Sequence, residues 1–316
     1  MDVVSYGRAV GRQFSASQRL YIARTVRRAP EVVVKVSGGG RSRAGVEAHL
    51  SYIGRGGELE IEMDDGRRVT GSSFQKSIVL DWDLDLEDHR RQDKHSIRRR
   101  PKPFKLVHNL IFSMPPGTSS DKLVKAVRGL AQNQFALKHR YAMALHTDEA
   151  HPHVHLVVKA MSEQGERLKI RKATLREWRY EFADHLREQG IAANATERAV
   201  RGQVRTKKLD AIYRSAERNE SFYERKQIHE LAAKTPSALA RHRQGKAILE
   251  QTRSEVVAGW QAVAQRLREE GDHRLADDVR AFIDRMAPAT TDQEQLVRKS
   301  AARAGWRKIE PMQRTR

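Results

Sequence analysis

Residues 141–158 read YAMALHTDEAHPHVHLVV. Two apolar, strand-like runs, Tyr141–Leu145 and Leu156–Val158, bracket a segment rich in histidine. Successive side chains on a strand point to opposite faces. His153 and His155 therefore share one face, and Val154 and Leu156 take the other. A hairpin that sets His146 opposite His153 gathers the imidazoles of His146, His153 and His155 on that face. Ala142 and Ala144 leave room above it, while Tyr141, Met143 and Leu145 turn to the core. Neutral imidazole suits divalent transition metals, and three such ligands with an open position describe a catalytic rather than a structural site. The expected ligands are His146, His153 and His155. His151 falls in the turn and is the rival. Asp148 is expected behind the ligands, orienting an imidazole through its other ring N–H. A fortuitous surface cluster would not require the period-2 spacing.

Upstream, Glu31–Val36 reads as a buried strand that runs into a glycine-rich turn at 37–42. That turn lacks the Lys-Ser/Thr pair at P-loop spacing, which argues against a nucleotide-binding loop. Val46, Leu50 and Ile53 then recur at helical spacing, with Tyr52 off the stripe and Gly54, Gly56 and Gly57 as the stop. Leu59–Met63 and Arg68–Val69, joined by Asp64-Asp65-Gly66, suggest a hairpin. Asp81–Pro103 is charged and reads as a solvated loop. Leu106–Phe112 is a strand, and a helix with Leu123, Val127, Leu130 and Gln134 or Phe135 in phase follows it. After the histidine strands, Thr174 with Glu177 forms a capping-box pattern. Leu175, Trp178, Phe182 and Leu186 then make an apolar helical face, and Gly190 ends it.

Beyond residue 205 strand signals vanish. Val256, Trp260, Val263 and Leu267 repeat at helical spacing, as do Leu275, Val279, Phe282 and Met286, and Ala287–Asp292 reads as a linker. The fold class is α/β, an antiparallel sheet flanked by helices and followed by a helical C-terminal region. The expected division is a basic N-terminal arm at 1–30 with a short helix over Ser17–Arg28, a main domain at 31–205, and a charged helical region at 206–316.

The net charge of +20, from 60 Lys and Arg against 40 Asp and Glu, favours a polyanionic partner, nucleic acid first and an anionic membrane surface second. No run approaches the roughly 18 apolar residues of a membrane span. The absence of cysteine excludes disulfides and thiolate metal sites and fits a cytoplasmic protein. At 6% aromatic content, extensive base stacking has few candidates.

These residues resemble a family. The chain is similar to the relaxases of conjugative DNA transfer, which are HUH endonucleases, and most similar to the branch that includes the T-DNA border endonucleases. His153-Val-His155 resembles the HUH element, within a wider His146-Thr-Asp148 and His151-Pro-His-Val-His155 pattern. His49-Leu-Ser-Tyr52-Ile-Gly-Arg55-Gly-Gly57 resembles the first family motif, with its nucleophilic tyrosine. Ile111-Phe-Ser113-Met-Pro-Pro-Gly117-Thr118 resembles the second, where a serine contacts DNA near the nick. Thr196-Glu-Arg198 with Arg201-Gly202 resembles the end of the family domain. The likeness covers roughly residues 30–205; the basic arm and the C-terminal third fall outside it.

The resemblance implies a site- and strand-specific relaxase that nicks single-stranded DNA at an origin of transfer. Tyr52 would form a 5′-phosphotyrosyl intermediate, assisted by a divalent ion, Mg or Mn. Ser113, Arg55, Lys35 and Arg41 are the candidate DNA contacts. Further partners implied are accessory relaxosome proteins and a type IV secretion coupling protein, and the chain could be exported covalently bound to DNA. Alternatives are a replication initiator of the same superfamily, a metal-dependent phosphoesterase using activated water, and a basic DNA-binding protein without catalysis.

Overall fold

The computed structural model describes residues 13–84, 104–203 and 236–291, with single positions between 222 and 298. The chain divides into two compact units, Arg28–Ala195 and the remainder.

The first unit is built on a six-stranded sheet. Its elements in chain order are β1 (Val33–Gly38), α2 (Arg43–Ile53), β2 (Ile61–Met63), β3 (Arg68–Val69), α3 (Phe74–Asp81), β4 (Val107–Ser113), α4 (Ser120–Phe135), β5 (Tyr141–His146), β6 (His153–Lys159) and α5 (Lys172–Glu188). The spatial order is β1-β4-β6-β5-β2-β3, and every neighbouring pair is antiparallel. The expected antiparallel sheet is therefore present, and β6 lies at its interior with all seven residues buried.

The two faces of the sheet separate by the period of the strand. Tyr141, Met143, Val154, Leu156, Leu110 and Phe112 pack beneath α4 and α5, against Leu123, Val127, Trp178, Phe182 and Leu186. Ala142, Ala144, Val157 and Val107 pack beneath α2 and α3, against Val46, Leu50, Ile53, Ile78 and Trp82. Fully burying side chains of this size contributes about 1.5–3 kcal/mol each.

The helix expected from a Thr174–Glu177 box begins earlier, because Arg171 is extended (φ −105°, ψ 173°) and acts as N-cap. Thr174 occupies the third helical position, and its hydroxyl accepts from the Arg171 backbone N–H at 3.3 Å. Helix α3 lay in a stretch without a recognised pattern, and just past it Trp82 and Leu84 are fully buried rather than solvated. Of the charged loop expected at 81–103, residues 85–103 lie outside the described residues.

His108 on β4 has a consequence for stability. Burial, helped by the nearby Lys105 cation, lowers its imidazole to about 4. Its Nδ1 is buried without a hydrogen-bond partner. With the folded pKa below that of the unfolded chain, unfolding takes up a proton between pH 6.5 and about 4. Stability is therefore complete above that window and falls as pH drops through it. The expected loss at pH 5 relative to pH 7 is of order 1 kcal/mol, allowing for solvent screening. Urea unfolding of the wild type and His108→Gln at both pH values checks this, the variant showing the smaller difference.

In the second unit α1 (Ala16–Val26), α6 (Pro236–Glu269) and α7 (His273–Asp284) share one apolar cluster. Ser15 caps α1, and Phe14, Ile22 and Val26 lie with Val256, Trp260, Val263, Leu267, Leu275, Val279 and Phe282. The Trp260 indole N–H donates to the Val200 carbonyl at 2.8 Å. Among the described residues no helix is long and apolar enough to cross a membrane.

Candidate metal centre and nucleophile

The register of the β5–β6 hairpin is the one the alternation requires. His146 pairs with His153 and Ala144 with His155. The three imidazoles are buried, at 1%, 8% and 4% exposure for His146, His153 and His155. Their ring centroids lie 4.5–5.2 Å apart. One nitrogen from each can be chosen so that all lie within 4.8 Å of one another, close enough to share one ion.

Hydrogen bonds decide which nitrogen each ring offers. The Nε2–H of His146 donates to the Ile53 carbonyl at 2.7 Å, leaving Nδ1 as its lone pair. The Nδ1–H of His153 donates to the His151 carbonyl at 3.0 Å, leaving Nε2. Both nitrogens of His155 are buried without a partner. Burial, and then His146 and His153, push His155 down to about 3, and burial also lowers His146. The His146 and His155 rings are thus held neutral, the form that ligates. Buried polar atoms are rarely left unpaired, so the orphaned nitrogens of His155 beside His146 and His153 fit a divalent cation, with the Arg55 Nη2 donor standing at the His146 Nδ1 lone pair in this structure.

Helix α2 covers this face with Val46, Leu50 and Ile53 fully buried, and the next side chain over in its last turn is Tyr52. The Tyr52 ring is 52% exposed, 5.8 Å from His155 and 6.2 Å from His146 between centroids. A helix stop then reverses the chain. Arg55 takes φ 49°, uncommon off glycine, with Gly56 at 71° and Gly57 at 109°. That turn places the Arg55 guanidinium 5.2 Å from the Tyr52 ring centroid and its Nη2 donor 3.2 Å from His146 Nδ1.

Asp148 is half-exposed and pairs with Arg55. The carbonyls of Ile53 and His151, not its carboxylate, hold the imidazoles. Its bearing on His146 is by charge. His151 itself is exposed, with Nδ1 3.4 Å from the Met114 carbonyl, and is outside the trio.

The other candidates divide. Ser113 pairs with His153 across β4–β6 and so shares the histidine face. Lys35 pairs with Ile111, itself opposite His155, and lies exposed on that same face two strands out. Arg41 precedes the Ser42 N-cap of α2, at the end remote from Tyr52 by about 15 Å of helix. It is therefore not brought to the histidines. Sequence reading gave no role to His49. It lies three residues before Tyr52 and stacks on that ring at 6.1 Å, and its spacing on the helix was the available signal.

The stop also carries a steric requirement. A Cβ on Gly57 would lie 2.3 Å from the Gly71 carbonyl oxygen, whereas one on Gly56 meets nothing within 4 Å. Gly56→Ala should cost about 1 kcal/mol from its left-handed backbone alone. Gly57→Ala should cost about 3 kcal/mol or more, from strain plus collision with backbone. Chemical denaturation of both variants checks the order.

Residues 74–191 match a family model described as relaxase, MobA/VirD2-like, nuclease domain. That stretch includes Ser113 and the histidine hairpin and begins after Tyr52. The chain is also 27% identical over 211 residues to the T-DNA border endonuclease VirD2 of Rhizobium radiobacter, covering 60% of this chain and 47% of that protein. For the protein of the same name from Agrobacterium fabrum the identity is 27% over 214 residues, covering 60% and 45%. The chain spans about half the length of the curated relatives it matches. Residues 74–191, with their buried histidine trio, are thus similar to the nuclease domain of MobA/VirD2-like relaxases.

Proposed function

We propose that this protein is a site- and strand-specific DNA relaxase that nicks single-stranded DNA at an origin of transfer, with Tyr52 as nucleophile. The observation that carries the reading is an exposed phenol ring within about 6 Å of two imidazoles of a buried trio. The phenolic oxygen attacks the scissile phosphorus, an O–P bond forms to Tyr52, and the P–O3′ bond breaks. The phenolic proton leaves and the 3′-oxygen gains one, so the products are a 5′-phosphotyrosyl link and a free 3′-hydroxyl. One phosphodiester replaces another, so the step reverses without ATP.

His146 Nδ1, once the Arg55 donor withdraws from it, His153 Nε2 and one nitrogen of His155 would hold a divalent cation, Mg²⁺ or Mn²⁺. Such a cation supplies Lewis acidity at a non-bridging phosphate oxygen. Arg55 aligns the Tyr52 ring through its guanidinium and brings positive charge to the incoming phosphate. Ser113 and Lys35, on the same sheet face, are the candidate contacts to the flanking strand. The net charge of +20 supports a polyanionic partner. This reading carries with it accessory relaxosome proteins and a secretion coupling protein as partners.

The test incubates the protein with Mn²⁺ or Mg²⁺ and single-stranded DNA from its own genetic neighbourhood, then runs a denaturing gel. A DNA–protein adduct that mass spectrometry maps to Tyr52 is the expected result. Nicked DNA with no adduct would mean attack by water, a phosphoesterase, and would end the proposal.

A further inference from the structure

Beside the metal cage lie two neighbouring rings with buried nitrogens that lack hydrogen-bond partners. Both nitrogens of His155 are in this state, and so is Nε2 of His49. The rings meet edge-on, 6.2 Å between centroids at 68°. His146 and His153 each have a backbone carbonyl behind them; His155 has none. A metal-bound histidine almost always donates its second ring N–H, which fixes the tautomer and the ring's direction.

We infer that His49 is a positioning residue of the metal centre, its Nε2 accepting the N–H of His155. The inference rests on the trio being the metal site of the proposed relaxase. A direct N–H···N bond between imidazoles sets their centroids about 5 Å apart. Closing the observed gap therefore takes about one ångström, within reach of side-chain rotation. His49 stacks on Tyr52 at an interplanar angle of 24°, so it turns its face, not a ring nitrogen, to that side chain. This disposition suits a support for His155 better than a proton acceptor for the phenol. The HxxY spacing of the first motif thereby gains a physical content. One helical turn delivers both the nucleophile and the acceptor that steadies a metal ligand.

Co²⁺ binding to the full chain without DNA, followed by calorimetry and visible absorption, tests this. His49→Phe should weaken Co²⁺ ten- to hundredfold. His49→Gln, which keeps an acceptor, should recover most of that affinity. The Co²⁺ absorption bands should keep their wild-type shape in both variants, because His49 is not itself a ligand. Wild-type affinity in His49→Phe, equal losses in both variants, or altered bands in His49→Gln would overturn the inference. His155→Ala runs alongside as the control for the underlying reading. Undiminished Co²⁺ binding by that variant would remove the metal centre itself, whatever His49 does.

Discussion

Tyr52→Phe should abolish the covalent DNA adduct, at least a thousandfold below wild type, while leaving DNA binding and stability unchanged. The ring that lies 5.8 Å from His155 and 5.2 Å from the Arg55 guanidinium is retained, so packing of the site is not disturbed. Only the oxygen that forms the bond is lost. The side chain is half-exposed, and surface changes of this kind stay within about 0.5 kcal/mol. A gel-shift titration and an unfolding curve, run beside the adduct gel, separate loss of chemistry from loss of fold. An adduct persisting in the Phe variant would assign the nucleophile to another tyrosine.

His155→Ala should lower divalent-ion affinity at least a hundredfold and nicking by about three orders of magnitude, if the proposed trio holds the ion, since one of its three nitrogens is then removed. Thermal unfolding with and without Mn²⁺ gives an independent measure. An ion that binds only the folded chain stabilises it by about 2.7 kcal/mol at a hundredfold excess over Kd. The wild type should show such a gain and the variant should lose it. His151→Ala, altering an exposed ring outside the trio, should keep both the gain and the activity. A wild-type Mn²⁺ response in His155→Ala would place the ion elsewhere.

Much of this site was legible before any coordinates. Period-2 spacing fixed which side chains of 141–158 share a face. A hairpin setting His146 opposite His153 was the register that gathers the imidazoles, supported by the room that Ala142 and Ala144 leave on that face, and it is the register observed. The helical stripe of Val46, Leu50 and Ile53 likewise set Tyr52 to one side, because 3.6-residue periodicity leaves no other place for it. The supports of the imidazoles were not legible. Ile53 and His151 contribute backbone carbonyls, which every residue has, so no side-chain pattern announces them. Asp148 was expected on an imidazole and pairs with Arg55, because a left-handed turn swings that guanidinium across the site. The sheet order depends on contacts between β1 and β4, some seventy positions apart, which local periodicity does not encode.

The carbonyl of Ile53 belongs to the last turn of α2, where the backbone oxygens of a helix run out of intrahelical donors. The glycine-rich stop that ends the helix is thus what frees this oxygen to hold His146. Tyr52 and the anchor of His146 are consecutive residues on one rigid rod. A tilt of that rod would carry the phenol and the His146 tether together, so the two are yoked. Motions of the surrounding loops would then leave the spacing between the Tyr52 phenol and the His146 ring nearly constant.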